Sequence, residues 1–234
     1  MSKNYLTERE RSARKVNYHL LRYVDLDPEG WPIIHAQQIP KHIKRLIGFN
    51  EVLTCKNPTA TGVHFFIDDY QFERVWEQPE RYVDKLLQFP LICEPDFSLY
   101  GAYPEPVQKW NHYRNQLIAA YLQAQGGTVI ATPSWNGEES FEWCFTGIEE
   151  GAPVAISTVG VGHAANLGGF MRGVAVLYEQ KKPGAAIVYG KMLDALRVHL
   201  EKHSIPYTHY LNGQAMRVKD SEERRCRAEN EVEA

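Results

Sequence analysis

Five short clusters follow apolar runs along the chain: Asp68-Asp69-Tyr70, Asp96-Phe97-Ser98, Ser134-Trp135, Ser157-Thr158 and Tyr189-Gly190. Plain turns draw on interchangeable Gly, Asn and Ser, so carboxylates, hydroxyls and rings repeated at these places are candidates for chemistry. Two carboxylates across a pocket can act as acid and base, and three can hold a divalent metal through oxygen. Asp96, Asp68 and Glu142 are the catalytic candidates, the last within Ser140-Phe141-Glu142-Trp143-Cys144-Phe145. Around them, Asp69, Ser98, Tyr100, Arg114, Asn115, Trp135, Ser157, Thr158 and Tyr189 are candidates to hold a ligand. Arg114 can fork onto a carboxylate or phosphate, and Tyr100 and Trp135 can stack on a ring. The competing reading is structural. Asp and Ser cap helices, acidic residues favour helix amino ends, and Arg114 pairs with Asp96 or Glu142.

Other motifs carry less. Gly160-Val161-Gly162-His163, with Gly168-Gly169 beyond it, is a glycine-rich strand-to-helix segment of the kind that can cradle phosphate, but it lacks the dinucleotide spacing G-x-G-x-x-G. Ser98, Ser134 and Ser157 lack the G-x-S-x-G elbow, which speaks against serine hydrolase chemistry. His199 and His203 stand four apart in polar surroundings that suit a solvated helix face better than a metal pair.

These residues need a scaffold. Apolar runs at 31–36, 63–67, 91–93, 128–132, 154–156, 185–188 and, more weakly, 207–211 read as strands. Helical patterns fall between them, at 79–87 with Pro79 in the first turn, at 104–125 ended by Gly126-Gly127, at 167–180, and up to residue 202. Continuous apolar strands alternating with amphipathic helices mean βαβ units and a parallel sheet buried on both faces. Two α/β architectures satisfy this rhythm: an irregular or incomplete TIM-like barrel, which the spread of polar strand ends favours, and an open doubly wound sheet. In both, the carboxyl ends of the strands share one rim, and ligands bind there. The chain divides into a polar segment at 1–30, a single α/β domain at 31–217 and a charged tail at 218–234. In the first of these, Thr7 and Glu10 have the spacing of a helix capping box.

Composition narrows the setting. With 44% hydrophobic residues and a formal net charge of -3, the chain can bury a sizeable core and has no overall attraction to nucleic acid or acidic membranes. Its four cysteines form no C-x-x-C pair, and the charged amino terminus lacks an apolar signal core. No run approaches the length of a membrane span. A reducing cytoplasm is the expected location.

The clusters also occur in longer motifs: Phe66-Ile67-Asp68-Asp69-Tyr70-Gln71-Phe72-Glu73, Pro95-Asp96-Phe97-Ser98-Leu99-Tyr100, Trp110-Asn111-His112-Tyr113-Arg114-Asn115, Ser140-Phe141-Glu142-Trp143-Cys144-Phe145, Ile156-Ser157-Thr158-Val159-Gly160 and Ile187-Val188-Tyr189-Gly190. In this order, over about residues 50–190, they resemble a family of bacteria, phages and plasmids known as a domain of unknown function, number 4417. The resemblance implies a mobile-element setting and no established activity. The glycine-rich segment at 160–169 departs from the family pattern.

Three functions remain to be weighed. The first is a hydrolase or transferase acting on a nucleotide, nucleic acid or sugar-phosphate, with Asp96 as acid–base or metal ligand and Glu142 or Asp68 as its partner. The second is a non-catalytic binding protein of a mobile element using the same rim. A purely structural phage component would need a large apolar patch or a long assembly arm, and the sequence has neither. The residues leave the cofactor, the metal and the oligomeric state unknown. They allow a nucleotide or nucleic-acid ligand and give no sign of a membrane partner.

Overall fold

A computed structural model of the protein describes residues 6–161 and 164–213. The tail expected at 218–234 lies outside the described residues.

Helix α1, Glu8–Lys15, begins with the expected capping box: the Glu10 backbone N–H donates to Thr7 Oγ1, and the Glu10 carboxylate accepts from the Thr7 N–H. None of its residues is buried.

Among the described residues seven strands follow in chain order: β1 Arg45–Gly48, β2 Thr61–His64, β3 Leu91–Cys93, β4 Val129–Ile130, β5 Val154–Ser157, β6 Ala186–Tyr189 and β7 Tyr207–Tyr210. All pairings between them are parallel. They form two sheets, β1-β2-β3-β4 and β5-β6-β7. One parallel bridge, Ala131 to Val154, joins the sheets, and the Ala155 N–H donates to the Ala131 carbonyl at 2.7 Å. Neighbours in sequence are therefore neighbours in space along the whole array. Between strands run α2 Glu73–Glu77, α3 Pro79–Leu86, α4 Glu105–Ala124, α5 Ala164–Lys181 and α6 Asp194–Lys202. The α4 helix stops where Gly126 takes a φ of 94°, a conformation that favours glycine at a helix end.

The core explains the apolar strands. One cluster packs the outer face of the first sheet against α3 and α4, through residues such as Val63, Ile92, Leu86 and Leu117. A second packs β5 and β6 against α5 and α6, through Ile156, Val188, Leu177 and Leu196. The third joins side chains of both sheets, among them Leu46, Leu91, Ile130, Ala155, Ile187 and Tyr210. Aromatic contacts also cross between the sheets: the rings of His64 on β2 and Tyr189 on β6 lie 4.1 Å apart. Among the described residues no ladder joins β7 to β1. Instead the Tyr210 hydroxyl donates to the Ile43 carbonyl at 3.3 Å.

The first strand is not where the apolar run at 31–36 places it. That run makes only isolated bridges, Leu26 with Pro32 and Ile34 with Ile148. Pro32 has no N–H to give a ladder, and Ile34 is buried beside the 147–149 loop, its N–H bonded to the Gly147 carbonyl. The sheet starts instead at Arg45–Gly48, whose three buried residues are too few to give a periodic signal beside Lys44 and Arg45. No helix among the described residues is long and apolar enough to cross a membrane.

Candidate functional site

Parallel strands set their carboxyl ends on one side. There the loops after β2, β3, β4 and β5, with the opening of α5, enclose a cavity of about 1050 Å³. Asp68, Asp96, Ser98, Tyr100, Trp135 and Ser157 all line it. Five segments distant in sequence thus converge because the topology brings every strand end to one rim.

Asp96 follows β3 by three residues and is partly buried. Its Oδ1 accepts a short hydrogen bond from the Ser134 hydroxyl, which comes from the loop after β4. Burial pushes the Asp96 carboxyl up to about 6, with the Asp69 carboxylate acting in the same direction and the Ser134 hydrogen bond opposing both. Directly below, Glu94 is 2% exposed and accepts the Thr132 N–H at 2.7 Å. Burial raises the Glu94 carboxyl well above the usual carboxylate range, the Thr132 N–H opposes that rise, and Asp96 adds to it. Two carboxyls this close in a poorly solvated place disfavour a second negative charge.

The other lining residues are more open. Asp68 is exposed and accepts from Gln71 Nε2 at 3.3 Å. Tyr100 is half exposed and meets the edge of Tyr103. Trp135 packs against Phe145 and Phe170. A Cβ on Gly173 of α5 would overlap the Trp135 indole, so this glycine lets the ring lie against the helix. The Ser157 hydroxyl accepts the Val159 N–H at 3.2 Å.

The remaining candidates serve the scaffold. Asp69 accepts the Ser98 N–H and its hydroxyl, the latter at 2.8 Å, and so fixes the loop after β3. Asn115 clamps the buried Phe97 backbone, accepting its N–H at 2.8 Å and donating to its carbonyl at 3.2 Å. Arg114 does not reach the cavity. Its guanidinium binds Glu73 at 2.7 Å and Asn111 at 2.8 Å and lies over the Phe97 ring. The expected salt bridge to Asp96 or Glu142 is thus replaced by one to Glu73, the acid that α2 presents to this face of α4. Glu142 is exposed at the end of a 3-10 turn and is not among the lining residues, so it is no partner for Asp96 across the cavity. Thr158 is buried and donates to the Lys191 carbonyl at 2.8 Å, tying the loops after β5 and β6. Tyr189 is buried against His64 and Phe66, behind the wall rather than on it.

Several lining residues escaped the reading of the sequence. Thr132, Asn136, Asn166, Phe170 and Arg172 line the cavity, together with Gly160 of the glycine-rich segment already singled out. Glu94 could have been found as the first polar residue after β3. Asn166 and Arg172 lie in and just beyond the glycine-rich segment, whose imperfect motif drew attention away from them. Cys93 and Cys144 are buried, and burial pushes both up to about 12, which keeps them unreactive. Among the described residues no group of three or more His, Cys, Asp or Glu is placed to hold a metal ion.

Known proteins give a setting rather than a reaction. Over 132 residues the chain is 39% identical to the Gene 1 protein of Mycobacterium phage D29, covering 56% of this chain and 49% of that relative. It is 38% identical over 132 residues to the Gene 1 protein of Mycobacterium phage L5, covering 58% of it. The matched region thus spans about half of each of these relatives. No solved structure gives a match. The family described as "Domain of unknown function (DUF4417)" matches residues 29–207, most of the α/β array and the whole cavity wall, and the chain belongs to that family.

Proposed function

We propose that the protein is a mobile-element enzyme, a hydrolase or transferase acting on a nucleotide, nucleic acid or sugar-phosphate in this cavity. The observation that carries the reading is Asp96: a carboxyl on the wall of a large concavity that burial pushes up to about 6. Such a group has both protonation states populated near neutrality, as a general acid–base residue needs. Asp68, at the mouth, is the second carboxylate. Tyr100 and Trp135 flank the space where a planar ring would stack, and Ser98, Ser134 and Ser157 offer hydroxyls to a sugar.

The fold supports the same reading. Strands in chain order, all parallel, with side chains of both sheets packed together, support an incomplete TIM-like barrel, a fold whose ligands bind at the carboxyl ends of its strands. In this reading residues 31–217 form one such domain, in the cytoplasm of a host cell. The phage relatives support the mobile-element setting.

The test is product chromatography with wild type and Asp96→Asn, offered nucleotides, sugar phosphates and oligonucleotides. The expected result is turnover by wild type, reduced about 100-fold or more in the variant, the usual worth of a general acid–base residue. Binding without turnover in wild type would assign the cavity to a non-catalytic ligand-binding protein. Equal turnover in both proteins would remove Asp96 from the chemistry.

A further inference from the structure

The charges of the cavity are few and unevenly placed. Its charged lining residues, among those described, are Asp68, Asp96 and Arg172. The carboxylates come from the loops after β2 and β3, and the guanidinium comes from α5. Arg172 Nη1 and Nη2 lie 3.8 and 3.9 Å from where side chains would begin on Gly168 and Gly169. The guanidinium therefore lies back over bare backbone, toward the amino end of α5. Its Nε pairs with Glu138 at 2.9 Å, and both side chains are more than half exposed. An exposed pair of this kind exchanges readily for a better anion. The two Nη groups make no hydrogen bond within the described residues. On the wall, Thr132 Oγ1 has no hydrogen-bond partner among the described residues, and Thr132 is only 5% exposed. A hydroxyl left unpaired just beneath the wall of a ligand-sized cavity is a polar group that a side-chain rotation would turn toward a ligand.

We propose that the cavity takes a nucleoside monophosphate, with Arg172 as its phosphate-binding residue and Thr132 as a contact to its polar body. This rests on the reading of the cavity as a nucleotide or sugar-phosphate site. It narrows that reading by charge. One guanidinium on the wall matches one phosphate. Additional phosphates would face Asp68 and Asp96 with no further cation from the described lining. A nucleic-acid strand needs several cations along its path, and the net charge of -3 supplies no general attraction. Trp135 and Phe170, 5.6 Å apart beside Arg172, give the base an aromatic surface.

Isothermal titration calorimetry without magnesium tests this with AMP, GMP, CMP and UMP, the matching nucleosides and triphosphates, and a single-stranded twelve-nucleotide DNA. At least one monophosphate should bind, at least tenfold tighter than its nucleoside or triphosphate, with no binding of the DNA. Arg172→Gln should weaken the monophosphate at least tenfold. Glu138→Gln should tighten it a few-fold by freeing the guanidinium. A triphosphate or the DNA binding tighter than every monophosphate, or Arg172→Gln leaving affinity unchanged, overturns the proposal while a cavity enzyme dependent on Asp96 still stands. Failure of every nucleotide and of a sugar-phosphate control to bind overturns both.

Discussion

The polar face of α4 and the wall of the cavity meet along one short segment, residues 96–98, and differ in what completes their polar groups. On the α4 side, Asn115 holds both backbone groups of Phe97, Asn111 holds the Ser98 carbonyl, and Arg114 is taken by Glu73. On the cavity side, among the described residues, Asp96 has one hydrogen bond from Ser134 and a carboxyl raised to about 6, and the Thr132 hydroxyl has no partner. The residue types are alike: amides, carboxylates, a guanidinium. A polar side chain whose partners are all protein builds the fold. One left incomplete at the edge of a cavity is held there at a cost and is available to a ligand.

Substitutions on the two sides should therefore separate, and the largest effect belongs to α4. Asn115→Ala strips partners from the buried N–H and carbonyl of Phe97, each costing about 1–3 kcal/mol, so a loss of about 2–4 kcal/mol in urea unfolding is expected. Were Asn115→Ala to melt like wild type, the clamp would not be structural and the contrast would fail.

Acid should expose the next effect. Burial holds His64 and His112 neutral down to about 3, against an ordinary value of 6.5. The folded state therefore binds fewer protons than the unfolded chain between those values, so stability falls as pH drops through that window. The slope is up to about 1.4 kcal/mol per pH unit for each histidine. His64→Asn keeps an acceptor for the Phe66 N–H and should flatten the wild-type slope between pH 6 and 4 by about one proton. An unchanged slope would mean that His64 is solvated.

At the small end stands Glu142. It is exposed and outside both regions, so Glu142→Gln should change stability by less than about 0.5 kcal/mol and leave ligand affinity and turnover unaltered. A large loss of either would put it back in the site.

Much of this arrangement was legible in the residues. The capping box at Thr7 and Glu10, the long helix ended at Gly126-Gly127 and the strands after the first are local patterns, and local patterns survive folding. Asp68, Asp96, Ser98, Tyr100, Trp135 and Ser157 share the cavity because parallel strands have one carboxyl rim. What sequence could not give was direction. Asp68 and Asp69 are adjacent, yet one lines the cavity and the other binds Ser98. Arg114 and Glu142 were placed by residue type, while their orientation depended on Glu73 and on an exposed 3-10 turn. Arg172 went unread because it lies on a helix interior, where a basic residue carries no signal until the glycines before it are seen to clear its path.

The most direct test is urea unfolding of Asp96→Asn beside wild type at pH 7.5 and pH 4. A carboxyl raised from 3.8 to about 6 in the folded state binds more protons there than in the unfolded chain. Its ionisation therefore destabilises the fold above about pH 6, and the penalty fades as pH falls toward 4. The neutral amide should thus stabilise the protein by about 1–3 kcal/mol at pH 7.5, with little difference at pH 4. A variant less stable than wild type at pH 7.5 would make Asp96 a structural residue like Asn115 and would contradict the account.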